Sequence, residues 1–170
     1  IRKKQSEPVN LPDYDPEMMN FVAMGRLCHQ KGYDIMIDLF AKACRQRDDI
    51  RLFIVGGGMD RRKLSRQAER KAPGKIIFLG ETNNPFAILN KMDGFISTSR
   101  YEGQGMNILE ARAIGLPLYC SKNLEQYSEG LQGYEQDALL QAIIHAEKQE
   151  KKPDELEEYN REILERIYEL

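Results

Sequence analysis

Five short apolar runs, each stopping at a glycine or a polar loop, set the strongest limit on how this chain can fold. They are Phe21–Met24, Arg51–Val55, Lys75–Leu79, Asp93–Ser97 and Leu116–Cys120. Their length and their Val, Ile, Leu and Phe content are those of buried strands. Between them, apolar residues recur at helical spacing: Tyr33, Met36, Ile37, Phe40 and Cys44 fall on one face. Further helices are expected over Met59–Lys71, ended by Pro73-Gly74, and over Pro85–Lys91, where Pro85 suits the first helical position. Another runs from about Gly105 to a cap at Gly115. Strands alternating with helices predict an α/β fold, a Rossmann-like parallel sheet with helices on both faces. Ligands of such sheets bind beyond the carboxyl ends of the strands. Arg26, Lys31, Gly56 to Gly58, Thr82 and Glu102 all follow strand ends and would line one edge.

The flanks are read differently. Residues 1–19 contain Pro8, Pro12 and Pro16 and read as a linker or an irregular lead-in. Residues 20–170 form the Rossmann-like domain; a chain of 170 residues suits one domain with a proper core. After Cys120 the pattern weakens: 121–133 is irregular or partly helical, and a helix is expected over Tyr134–Glu150. Pro153 opens a last helix, 153–170, with Leu156, Tyr159, Ile163 and Ile167 apolar.

A near-even balance of 25 basic and 27 acidic residues gives no general reason to expect a nucleic-acid partner. The basic stretch Arg61–Lys75 and the acidic end from Glu147 read as solvated helix faces. Three cysteines without C-x-x-C spacing favour a reducing compartment. No apolar run is long enough to span a bilayer. The expectation is a cytoplasmic domain, with membrane association only through parts outside this sequence. The chain opens on Ile1, and is read as a fragment of a longer protein.

The stretch Ser97–Gly115, STSRYEGQGMNILEARAIG, carries the clearest chemistry. Gly103 and Gly105 flank the expected helix start, where unpaired N–H groups and the positive dipole end suit an anion. Glu102 and Glu110 are separated by seven residues. Glu110 would lie roughly 7–8 Å along the helix axis from Gly105. One ligand could then meet amides at a phosphate and a carboxylate at a hydroxyl. Arg26 and Lys31 add two cations, and two fixed cations with a helix N-terminus can stabilise a diphosphate leaving group without metal. Other motifs are absent. Gly56-Gly57-Gly58 does not extend to a dinucleotide fingerprint, because Arg61 stands at its last glycine position, and no P-loop exists. His29 and His145 lack partners at zinc spacing. Asp13-Tyr14-Asp15 has a D-x-D spacing but lies in the proline-rich lead, so no metal is expected there.

Several short motifs occur in one order. They are Gly25-Arg26-Leu27, Lys31-Gly32, Ile54-Val55-Gly56 with Gly58, Phe78-Leu79-Gly80, Ser99 with Glu102-Gly103-Gln104-Gly105 and Glu110-Ala111, and Gly115-Leu116-Pro117. From Phe21 to Cys120 the chain resembles the C-terminal, nucleotide-sugar-binding domain of a retaining GT-B glycosyltransferase, family 4. That resemblance implies roles. Arg26 and Lys31 would hold the donor diphosphate with Gly105, Met106 and Asn107. Glu102, the catalytic candidate, would meet the transferred sugar with Gly103, Gln104 and Gly105. Glu110 would bind the ribose, and Gly80, Glu81 and Thr82 the base. It implies a nucleoside diphosphate sugar as substrate, no cofactor or metal, and an N-terminal acceptor-binding domain as partner, without which the fragment would be inactive. Gln104 departs from the aromatic residue usual there. A non-catalytic nucleotide-binding module of the same fold is the alternative.

Overall fold

The computed structural model describes residues 5–103, 105–127 and 131–151. The helix expected over 153–170 and the position of Gln104 lie outside them. In chain order the elements are β1 (Met19–Met24), α1 (Tyr33–Ala43), β2 (Ile50–Val55), α2 (Arg61–Lys71), β3 (Ile76–Gly80), α3 (Pro85–Leu89), β4 (Gly94–Ser97), α4 (Met106–Ala113), β5 (Leu118–Ser121), β6 (Gly133–Tyr134) and α5 (Gln136–Ile144). The strands form one parallel sheet in the order β3-β2-β1-β4-β5-β6. This is a Rossmann-like α/β architecture, and its strand order reverses direction between β1 and β4.

Both sheet faces are covered, which is why the strands read as continuous apolar runs rather than alternating ones. Phe21, Leu52, Ile54 and Ile96 pack under α1, α2 and α5 on one face. Val22, Phe53, Val55 and Phe95 pack under α3 and α4 on the other. Phe21 meets Phe40 and Tyr119 edge-to-face, with centroids 5.9 and 5.3 Å apart. Gly94 makes room for that crossing: a Cβ there would lie 2.8 Å from the Tyr119 ring and 3.0 Å from Phe21. Cys120 is buried in the core and Cys44 packs, partly buried, against its edge; burial pushes the Cys44 thiol up to about 11 and the Cys120 thiol up to about 12, so neither is a nucleophile at neutral pH.

Several boundaries differ from the sequence expectation: α2 begins at Arg61, α3 stops at Leu89 and β5 begins at Leu118, each two residues inside the expected range, and three further differences have a visible cause or consequence. β1 begins at Met19, two residues ahead of the apolar run, and the buried Asn20 enters the strand with its side-chain N–H groups bonded locally. Its Nδ2 donates to the carbonyls of Asp15 and Met18, and its backbone N–H donates to Asp93. The segment 121–133 is partly helical as expected, with a 3-10 turn over Lys122–Tyr127, but it closes with the short strand β6, which takes Tyr134 from the expected helix. α5 stops at Ile144, well short of Glu150, and Arg47 Nη1 donates to the carbonyls of Ile144 and Ala146 at 2.9 and 2.7 Å. Ahead of β1, Val9, Leu11 and Tyr14 pack against the second face, and the Tyr14 hydroxyl donates to the Lys91 carbonyl. Among the described residues no helix is long and apolar enough to cross a membrane.

The loops after β1 and β4 touch at Gly32, which has φ 65° and would place a Cβ 2.0 Å from the Thr98 carbonyl oxygen. Backbone cannot yield there as a flexible side chain would. Gly32→Ala is expected to destabilise the fold by about 1–3 kcal/mol, read from the urea midpoint at constant m-value.

Candidate functional site

A cleft of about 870 Å³ opens at the carboxyl ends of the strands. That volume is within the range of ligand pockets. It lies where β1 and β4 send their loops apart, the position at which open α/β sheets bind ligands. The loop after β1 contributes Arg26 and Lys31, and the loop after β2 contributes Gly56 and Gly57. Glu81 and Thr82 follow β3, Glu102 and Gly105 follow β4, and α4 supplies Met106, Asn107 and Glu110.

The N-terminus of α4 is one wall. Gly105, at φ 61°, turns the chain into the helix, and its carbonyl accepts from the N–H groups of Ile108 and Leu109. The amides of Met106 and Asn107, in the first turn, are beyond the reach of any intrahelical carbonyl and carry the positive end of the helix dipole. Asn107 Nδ2 donates to the Met24 carbonyl at 2.7 Å, tying this helix start to the end of β1. Glu110 is one turn further on, only 5% exposed, and faces the same cleft.

The opposite wall is organised by Glu102. Lys31 Nζ donates to both of its carboxylate oxygens at 2.8 Å, and Ser99 Oγ donates to Oε1 at 2.6 Å. The Glu102 side chain is 4% exposed and that of Lys31 16%, so this is a buried, charge-assisted pair. Its charge reaches the interior: burial first, then the Cys28 and Glu102 charges, push the buried Tyr33 hydroxyl up, and the hydroxyl donates to the Gly25 carbonyl.

A clamp holds the two loops in register. Arg100 forks onto Asp34 at 2.9 and 2.7 Å and donates to the His29 carbonyl. Thr98 Oγ1 donates to the Gly32 carbonyl, and Gln30 Nε2 to that of Tyr101. Asn123 Nδ2 braces the loop from the far side, through the carbonyls of Ser99 and Arg100.

Of the residues singled out in the sequence, Arg26, Lys31, Glu81, Thr82, Glu102, Gly105, Met106, Asn107 and Glu110 line this one cleft. Gly80 ends β3 behind it, and Gly103 is exposed outside the lining. Sequence reasoning counted Ser99 among the motif residues but missed its bond to Glu102, and it missed the bracing by Arg100 and Asn123, which left no signal. Asp13-Tyr14-Asp15 lies before β1, at the other end of the strand from the cleft. Among the described residues no three His, Cys, Asp or Glu side chains gather to hold a metal ion.

A family model described as glycosyl transferases group 1 matches residues 4–163. Among curated proteins, the chain is 36% identical over 107 residues to the mannosylfructose-phosphate synthase of Agrobacterium fabrum, covering 56% of this chain and 24% of that protein. It is 30% identical over 155 residues to the poly(glycerol-phosphate) alpha-glucosyltransferase of Bacillus subtilis, covering 80% and 23%. With the lipopolysaccharide core mannosyltransferase LpsB of Rhizobium meliloti the identity is 27% over 132 residues, covering 74% and 37%. The chain therefore spans between 23% and 37% of the length of these relatives. Among solved structures it superimposes on Staphylococcus aureus TarM, crystallised with UDP, Fondaparinux and alpha-GlcNAc-glycerol, with TM-score 0.67 at 21% identity, over 94% of this chain and 34% of that one. Anabaena HepE with UDP and glucose gives 0.63 at 22%, over 75% and 38%. These likenesses are to GT-B proteins and bear on the fold.

The clamp has a pH signature. The hydrogen bonds from Arg100 hold the Asp34 carboxyl below its ordinary value. A depressed carboxylate stabilises the fold above the unfolded value, near 3.8, and that stability is lost as pH falls through the lower folded value. The Asp34 side chain is 40% exposed, which limits the effect to under about 1 kcal/mol. Asp34→Asn is expected to lower Tm at pH 7 by no more than about 2–4 °C. The gap from the unmodified protein should close in melts repeated towards pH 3.

Proposed function

We propose, because the chain belongs to the group 1 glycosyl transferases, that it forms the nucleotide-sugar-binding domain of a retaining glycosyltransferase, the C-terminal half of a GT-B protein of family 4. The protein as a whole would transfer a sugar from a nucleoside diphosphate sugar to a glycan, lipid or other acceptor held by an N-terminal domain. The observation that carries this reading is the composition of the cleft at the β1/β4 reversal. It joins two cations, a helix N-terminus and two buried carboxylates, in a volume that suits a nucleotide sugar.

Each part has work to do in that reaction. Cleaving the anomeric bond leaves negative charge on the diphosphate. Lys31 and the amides of Met106 and Asn107 oppose that charge from fixed positions, without solvent reorganisation, and the exposed Arg26 adds a second cation. Glu110 accepts from the ribose hydroxyls. Glu102, beside Gly105, faces the transferred sugar, where positive charge develops at the anomeric carbon and a carboxylate stabilises it. Glu81 and Thr82 border the end of the cleft assigned to the base, next to Gly57. In this mechanism the two cations and the amides do what a divalent ion does elsewhere, so no metal is required. The UDP in the TarM and HepE crystals supports a nucleoside diphosphate as the ligand class.

Thermal melts against UDP, GDP, ADP, TDP, CMP and their sugars test the reading, and no stabilisation by any of them would overturn it. With the nucleotide so found, Arg26→Ala is expected to weaken diphosphate binding by about 1–3 kcal/mol and to affect the nucleoside much less. Glu110→Ala is expected to weaken nucleoside and diphosphate alike. Isothermal titration separates the two patterns. Affinity should survive EDTA, and loss on chelation with recovery on adding magnesium would count against the metal-free mechanism.

A further inference from the structure

Lys31 is asked to do two things. It lines the cleft in which the donor diphosphate would lie, and its ammonium already donates to both oxygens of Glu102. Glu102 is held on that cation from several sides. Ser99 Oγ fixes Oε1, while the Arg100–Asp34 fork and the Thr98–Gly32 contact stop the two loops from separating. The carboxylate is buried and cannot swing into solvent. An anion bound against Lys31 therefore shares it with a fixed negative charge.

We infer that Glu102 acts through Lys31 as a counter-ion that limits how tightly the cleft grips a bare diphosphate, and so makes it discriminate between a nucleotide sugar and its nucleoside diphosphate product. The reasoning rests on the donor reading above and on charge alone. At neutral pH a terminal phosphate carries roughly one more negative charge than the same phosphate esterified to a sugar. A carboxylate beside the cation that holds this phosphate penalises the more highly charged ligand more. The intact donor also offers the hydroxyls of its transferable sugar to the carboxylate, and the product has lost them. Glu102 thus opposes retention of the product while leaving the donor a compensating contact.

The inference predicts a gain of affinity on deleting a site carboxylate. Glu102→Gln keeps the shape and removes the charge. The 170-residue chain carrying it is expected to bind the nucleoside diphosphate on the order of tenfold more tightly. Affinity for the nucleotide sugar should rise much less or fall. Lys31→Met should weaken the diphosphate. In the Lys31→Met background, Glu102→Gln should lose most of its tightening effect, because the carboxylate acts through the lysine; titrations of the four proteins form a double-mutant cycle. Near-UV circular dichroism checks folding. If Glu102→Gln does not fold, Glu102→Asp draws the charge back one methylene and is expected to tighten diphosphate binding by a smaller factor. Unchanged or weaker diphosphate binding in the folded variant overturns the inference, as does tightening of equal size with and without Lys31. Failure of the unmodified chain to bind any nucleoside diphosphate would instead overturn the donor reading, and this inference with it.

Discussion

The contact between the loops after β1 and β4 is what the rest of the cleft depends on. Parallel strands place their loops at one edge, but the strand order makes neighbouring loops diverge at β1 and β4, and divergence leaves a gap. Gly32 lets the two backbones meet across it, Thr98 and Arg100 bond them, and Lys31 and Glu102 complete the join with a buried ion pair. Removing one partner of such a pair typically costs about 3–5 kcal/mol, because the other is left charged and buried. The pair therefore belongs both to the fold and to the site. The surrounding hydrogen bonds keep its geometry fixed, which any electrostatic role requires.

Much of the fold was legible because the strands are buried on both faces. Such strands are short, continuous and glycine-ended, and the helices between them show a single apolar face. Legibility failed where polar residues do the work of apolar ones. Asn20 hid the start of β1 by being a buried amide in a strand. β6 has only two residues, Gly133 and Tyr134, too few for any periodicity. The shortening of α5 depends on Arg47, a residue 97 positions from the carbonyl of Ile144 that it binds. No local pattern reports a partner at that distance.

The residues of the cleft were legible one by one, because strand ends followed by glycine, arginine or lysine stand out. Their pairing was not. Lys31 and Glu102 lie 71 positions apart, and the family resemblance implied separate tasks for them, one at the phosphate and one at the sugar. The structure makes them one unit, with Ser99 as its third member. Likewise Glu81 follows β3 with no sequence link to the loop after β2. Yet a Cβ on Gly57 would lie 2.4 Å from its carboxylate oxygen, so the two loops close on each other at the end of the cleft assigned to the base.

The charge inventory of the cleft then has a physical reading. Its lining carries two cations, Arg26 and Lys31, against three carboxylates, Glu81, Glu102 and Glu110. A site that recruited anions by net field alone would be lined by an excess of cations. On the proposed donor reading, attraction for phosphate would be local, confined to the amides at the start of α4 and the two cations, and flanked by the acids of the lining. Inorganic phosphate or a nucleic-acid backbone would meet those acids without compensation. A ligand with phosphates in the middle and hydroxyls towards both ends turns each flanking carboxylate from a repulsive group into a hydrogen-bond acceptor. On the proposed donor reading, the acids would supply selectivity where the cations and amides supply attraction.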